Sequence, residues 1–213
     1  SALRTRGYYE MPSDHIYIRP ESWDKPFEAP EHVCSSYDNC HVPWGSTHEK
    51  TWHLVKTLPH VSGLFVWMGF DYLGEPTPYW WPSRSSFFGI VDLAGFPKDV
   101  YYMYKSEWTD EPVLHIFPHW NWKEGEPVDI WGYYNNADEV ELYLNGKSLG
   151  VRQKTDSTYH VSWRVPFTPG TLRAVSRLGG KEVLVKEIHT AGEPARLVLT
   201  PDRSVIQADG SDL

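Results

Sequence analysis

The 213-residue sequence has no apolar run approaching the roughly 18 residues of a membrane-spanning helix. Residues 1–20 also lack the succession of basic, apolar and small residues that marks a signal peptide. These two absences predict a soluble segment without a membrane span.

Cysteine is nearly absent. Cys34 and Cys40 are the only two, and no histidine spacing beside them matches a zinc site. We therefore expect no metal site and no cofactor. The pair could close a small disulfide loop or remain as free thiols, and the sequence leaves both open.

Positive charge is also scarce. The 20 Lys and Arg are outnumbered by 28 Asp and Glu, giving a net charge of -8, and they form no basic stripe. This argues against nucleic acid and anionic membranes as partners. Neutral or polar small ligands remain.

Aromatic residues are abundant, with 11 Trp and 13 Tyr. Trp and Tyr offer flat apolar faces on which a sugar ring can stack. The alternative is a core rich in aromatic side chains.

The first 110 residues follow an α/β pattern. Ser46 and Glu49 have capping-box spacing before a helix that runs to Leu58. The apolar run 61–70 is typical of a strand buried on both faces. A long loop and a second helix, with Pro97 in its first turn, follow it.

After Trp108 the periodicity changes to two, which favours strands. Asn145-Gly146 is a strong signal for a type I′ hairpin. Six or seven short strands in about 80 residues suggest an immunoglobulin-like sandwich. The predicted strands include 113–117, 128–134, 140–144, 160–165, 171–177 and 183–188, and 193–213 starts a further strand-rich unit.

The run GLFVWMGFDYLGEPTPYWWPSRSSFFGIVDLAGFPKDVYYMYKSEW resembles the end of the barrel in glycoside hydrolase family 2, particularly its multidomain β-galactosidase-like members. ELYLNGKSLG and VSWRVPFTPGTLRAVSRLGGK resemble the immunoglobulin-like domain that follows this barrel. The resemblance implies a multidomain α/β plus all-β protein. Residues 1–110 would be the C-terminal portion of a (β/α)8 TIM barrel, residues 111–192 a β-sandwich, and residues 193–213 the start of another β-domain.

Members of this family hydrolyse β-linked sugars with retention, using an acid/base Glu after barrel strand four and a nucleophile Glu at the end of strand seven. The resemblance places both before Ser1, and neither Glu10 nor Glu75 falls on a catalytic strand end. The expectation is a fragment of a retaining exo-β-glycosidase, foremost a β-galactosidase, that is inactive alone. A β-glucuronide or β-mannoside is the alternative substrate.

The expected partners are a β-linked oligosaccharide or glycoside and the remainder of the same polypeptide. Multidomain relatives are often exported, which implies a periplasmic or extracellular location. The other class of function is a non-catalytic sandwich that binds carbohydrate or has a structural role. The barrel-like half favours the enzyme, because a binding module does not need it.

The predicted substrate-binding residues are Trp67, Asp71, Glu75 and Trp44. By resemblance, Trp67 ends the eighth strand beside the sugar, where its indole could face the ring and the developing oxocarbenium ion. Its alternative role is core packing. Asp71 could accept hydrogen bonds from two sugar hydroxyls, or cap the loop. Glu75 could line an outer subsite.

Trp44, in the loop after strand seven, could contact sugar or seal the barrel mouth, and Tyr79, Trp80 and Trp81 share this ambiguity. Asp38 and His41 nearby are weaker candidates. Trp120 and Trp122 are interpreted as a seal between domains.

Overall fold

Two ten-residue helices precede seven strands in the computed structural model, which describes residues 36–39, 45–76, 84–208 and 210. Neither helix of this described part is long and apolar enough to cross a membrane. The helices are α1 (His48–Thr57) and α2 (Asp99–Trp108). The strands are β1 (Leu114–Phe117), β2 (Pro127–Tyr134), β3 (Glu139–Leu144), β4 (Lys147–Arg152), β5 (Val161–Pro166), β6 (Thr171–Leu178) and β7 (Lys181–His189).

The strands form two antiparallel sheets, β1-β2-β5 and β4-β3-β6-β7, so the predicted β-sandwich is confirmed. Asn145 and Gly146 both have positive φ, 51° and 82°, as the predicted type I′ turn between β3 and β4 requires. Val140, Leu142, Leu172 and Ala174 are fully buried among the core residues between the sheets.

Strand β2 is buried on both faces. Val128 and Ile130 point into the core between the sheets, while Trp131 and Tyr133 join a second cluster that contains Met103 of α2. This arrangement follows from the alternation of side chains along a strand. The second cluster fastens the helical half of the chain to the sandwich.

Glu107 of α2 adds a polar connection beside this cluster. Its carboxylate accepts hydrogen bonds from Trp52 Nε1 at 3.0 Å, Lys56 Nζ at 2.9 Å and Lys154 Nζ at 3.1 Å. Burial acts to raise the pKa of Glu107, but these donors outweigh it and hold the pKa below its usual range. Glu107 therefore links α1, α2 and the segment after β4.

The predicted capping box at α1 is wrong. Thr47 is the N-cap residue, and its side chain makes no capping bond. The Asp38 carboxylate caps the helix instead, accepting from His48 N at 3.0 Å and from Glu49 N at 2.7 Å. A carboxylate is favourable there because the helix N-terminus carries partial positive charge.

The buried strand predicted over 61–70 is also not found. This described segment contains no strand, and its one isolated bridge pairs Phe70 with Val91. A strand needs a neighbouring strand for its backbone hydrogen bonds, and the described residues supply none along 61–67. Phe65, Trp67 and Phe70 are consequently exposed.

Residues 193–208 contain no helix or strand. The large apolar side chains of this segment lie exposed, namely those of Leu197, Val198, Leu199, Val205 and Ile206.

Candidate functional site

Two segments, 68–74 and 84–91, are held together side by side by backbone hydrogen bonds of 2.8–3.2 Å. We call this pairing the loop ladder. Each bond joins a residue of the first segment to one of the second: Met68 to Phe88 and Ile90, Gly69 and Asp71 to Val91, Tyr72 to Ser86, and Gly74 to Arg84. The ladder thus holds the stretch that begins directly after Trp67 and ends directly before Glu75.

Gly89 allows the closest approach within the ladder. A Cβ added there would be 2.1 Å from Asp71 N and 2.3 Å from Phe70 C. These distances leave no room for any side chain, so the two segments can approach this closely because residue 89 is glycine.

Trp67, Tyr72 and Glu75 form a group at the surface. The Trp67 side chain is 58% exposed, and its indole meets the Tyr72 ring edge-on at 6.4 Å between centroids. The Tyr72 hydroxyl donates a hydrogen bond to the Glu75 carboxylate, which is exposed. Partial burial and the Glu75 carboxylate raise the pKa of Tyr72, against an opposing contribution from the Trp67 indole.

Asp71 has different surroundings. Its Oδ1 accepts hydrogen bonds from Lys98 Nζ and from Gly89 N, both at 2.8 Å. The side chains of Asp71 and Lys98 are only 4% and 3% exposed. Burial raises the pKa of the Asp71 carboxyl, with the Lys98 ammonium and the Gly89 N–H opposing it.

The structure therefore brings two of the four predicted site residues together. Trp67 and Glu75 both contact Tyr72. Asp71 instead forms hydrogen bonds within the loop, as its alternative role as a loop cap predicts. Trp44 lies outside the described residues, as do His41, Tyr79, Trp80 and Trp81. An aromatic face beside a hydroxyl and a carboxylate is suited to a ligand with several hydroxyl groups.

Sequence reasoning missed Tyr72 and Lys98. Tyr72 carried no signal beyond its place in an aromatic loop. Lys98 did carry one, because it precedes α2 directly, where a cation is unfavourable unless an acid lies nearby.

Trp120 belongs to the interior of the sandwich. It is fully buried in the core between the sheets, and its Nε1 donates to Thr168 O at 3.0 Å. Trp122 stacks on His119 and packs against both buried clusters. The predicted seal is therefore wrong for Trp120.

A metal centre has no support in the described ranges. They contain no group of three or more His, Cys, Asp and Glu side chains placed to hold an ion.

Comparison with curated proteins gives long matches. The chain is 63% identical over all 213 residues to a β-galactosidase of Bacteroides ovatus, and it spans 25% of that protein. It is 38% identical over 206 residues to a putative β-glucuronidase of Formosa agariphila, covering 90% of this chain and 19% of that protein. The chain thus spans about a quarter or less of these relatives.

Solved structures and a family model agree with these matches. A β-glycosidase from Bacteroides vulgatus superposes with a TM-score of 0.79 at 32% identity, covering 99% of this chain and 29% of that chain. A glycosyl hydrolase family 2 member from Bacteroides cellulosilyticus gives 0.65 at 32% identity, covering 77% and 26%. Residues 125–184 match a domain of unknown function (DUF4982). Because the similarity runs through both the loop ladder and the sandwich, the chain belongs to glycoside hydrolase family 2.

Proposed function

We propose that this chain is a segment of a retaining exo-β-glycosidase, specifically a β-galactosidase. The observation that carries the proposal is the 63% identity to a β-galactosidase over all 213 residues. The 38% identity to a putative β-glucuronidase makes a β-glucuronide the second candidate substrate, at lower similarity.

The two hydrolytic carboxylates of this enzyme would belong to polypeptide before Ser1. A retaining enzyme needs two of them about 5–5.5 Å apart, one forming the glycosyl-enzyme ester and the other acting as acid and then base. This chain covers 25% of the related β-galactosidase, and the remainder of a protein of that length is long enough to contain both carboxylates.

Residues 1–110 complete a barrel in this proposal. The support is the exposed apolar side chains of Phe65, Phe70 and Leu73, which barrel strands of the remaining polypeptide would cover. Residues 111–192 are the sandwich that follows the barrel along the chain. Residues 193–213 begin a further β-domain, which would cover the exposed apolar side chains between Leu197 and Ile206.

Trp67 is the sugar-facing residue of this segment. Its exposed indole provides a flat apolar wall for the sugar ring, and Glu75, joined to it by Tyr72, offers an acceptor for hydroxyl groups further out. The predicted hydrogen bonds from sugar hydroxyls to Asp71 stay a prediction.

The test is turnover of nitrophenyl β-glycosides by the complete protein. We expect β-galactosides to be the best substrates, and Trp67→Ala to lower kcat/KM by more than about tenfold, the equivalent of roughly 1.4 kcal/mol. The isolated 213-residue chain should show no turnover.

Trp108→Ala is the matched control. Trp108 has a similar exposure of 50% but packs on Trp52 and Tyr104 at the end of α2. Its replacement should leave kcat/KM nearly unchanged. A folded Trp67→Ala protein with unaltered kcat/KM would refute the assignment of the sugar-facing wall.

A further inference from the structure

We propose that Lys98, acting through Asp71, is a positioning residue for Trp67. The buried Lys98–Asp71 pair would fix the loop ladder and, through it, the orientation of the indole. This inference rests on the proposed function, because it requires Trp67 to face the sugar.

The location of Lys98 is unfavourable by itself. Lys98 is the N-cap residue of α2, at the positive end of the helix dipole, and its side chain is 3% exposed. Burying an ammonium group is costly unless it is paired and hydrogen-bonded. Asp71 Oδ1 at 2.8 Å and Phe87 O at 3.2 Å provide those partners.

The Lys98–Asp71 pair forms hydrogen bonds with both segments of the loop ladder. Asp71 belongs to the first segment, and its Oδ1 accepts from both Lys98 Nζ and Gly89 N. Lys98 Nζ also donates to Phe87 O in the second segment. One ammonium group and one carboxylate oxygen thus hold residues 71, 87 and 89 together.

Trp67 is next to this fastening point. The residue after it, Met68, donates its N–H to Phe88 O at 3.2 Å, and Phe88 lies between Phe87 and Gly89, which the pair holds. A displacement of the pair would therefore reach the Trp67 backbone through one hydrogen bond.

The difference in exposure distinguishes contact with the sugar from positioning of the residue that contacts it. Trp67 is 58% exposed, whereas the side chains of Asp71 and Lys98 lie beneath the surface. Lys98 would accordingly affect catalysis by holding Trp67 and not by touching the sugar.

A double-mutant cycle in the complete protein tests this role. The four proteins are the wild type, Lys98→Met, Trp67→Ala and the double variant, compared by kcat/KM and thermal midpoint. We expect Lys98→Met to lower kcat/KM about tenfold or more in the wild type, but less than about twofold once Trp67 is alanine. A purely structural role would give the same factor in both backgrounds.

Lys105→Met is the matched control. Lys105 lies on the same helix, and the carboxylate of its partner Glu111 is exposed. It should leave kcat/KM unchanged in either background, because exposed ion pairs contribute little.

Lys98→Met leaves the buried Asp71 carboxylate without its ammonium partner and could prevent folding. In that case Asp71→Asn with Lys98→Met replaces it, since it removes both charges and keeps an acceptor for Gly89 N–H. This replacement should likewise lower kcat/KM about tenfold or more when residue 67 is tryptophan, and less than about twofold when it is alanine.

The results separate this inference from the proposed function. Equal factors in both backgrounds, or no loss of activity with Lys98→Met, would overturn the positioning role while the Trp67→Ala effect still stands. An unaltered kcat/KM for Trp67→Ala itself would overturn the proposed function instead.

Discussion

Position 89 in the loop ladder has no space for a side chain. An added Cβ would overlap the backbone of Phe70 and Asp71, so Gly89→Ala must force the two segments apart. We expect destabilisation by about 1–3 kcal/mol, the usual cost of overpacking, together with a loss of kcat/KM. Thermal unfolding and kinetics of the complete protein would measure both.

Gly192→Ala is the control for that substitution, because a Cβ at position 192 would meet nothing within 4 Å. It should leave both quantities nearly unchanged. Equal thermal midpoints for Gly89→Ala and the wild type would contradict the close approach.

At the scale of single residues, the sequence predicts a site residue when the residue type alone indicates its chemistry. Trp67 and Glu75 fall together as an indole and an acid in one loop, although their link through Tyr72 was not predictable. Whether Asp71 faces solvent or Lys98 depends on a contact 27 positions away along the chain. No local pattern contains that information.

Helix α2 is fastened at its C-terminal end by Glu107. Glu107→Gln removes the charge that binds Lys56 and Lys154, and we expect it to destabilise the protein by about 1–3 kcal/mol at neutral pH. The pKa of Glu107 is lowered in the folded state, so its contribution is present above the unfolded value of 4.5 and is lost as pH falls through the folded pKa.

The measurement is the difference in thermal midpoint between Glu107→Gln and the wild type across pH. This difference should be largest near neutrality and should vanish in acid. Glu111→Gln serves as the control, because that side chain is 71% exposed in its pair with Lys105 and should have little effect at any pH. A Glu107→Gln deficit that persists unchanged in acid would refute the electrostatic explanation.

Elements with local signals were predictable, and elements that depend on distant partners were not. The alternation of the sandwich strands and the Asn145-Gly146 turn are encoded within a few residues. The segment 61–70 has the composition of a strand, but the described residues supply no neighbouring strand along 61–67. The capping box failed because Asp38, ten positions before His48, supplies a better acceptor.

At the scale of the whole molecule, two stretches of the described residues carry several exposed large apolar side chains, and we treat each stretch as an apolar surface. One includes Phe65, Phe70 and Leu73, and the other lies between Leu197 and Ile206. If the rest of the polypeptide covers them, the isolated chain should bind a dye such as ANS strongly and the complete protein should bind much less. Dye fluorescence per mole of protein is the measurement.

A shortened chain ending at Gly192 separates the two surfaces, since it removes the second and keeps the first. We expect it to retain part of the dye binding. Equal dye binding by the complete protein and the isolated chain would mean that neither surface is an interface, against the proposed barrel and following β-domain.

Strand β2 belongs to two cores at once, one between the sheets and one beneath α2. The sandwich is therefore not an appendage that could be exchanged freely between relatives. A substituted domain would have to bring its own equivalents of Trp131 and Tyr133, shaped to fit the face of α2 that they meet. Change in that helix and in that strand must then go together.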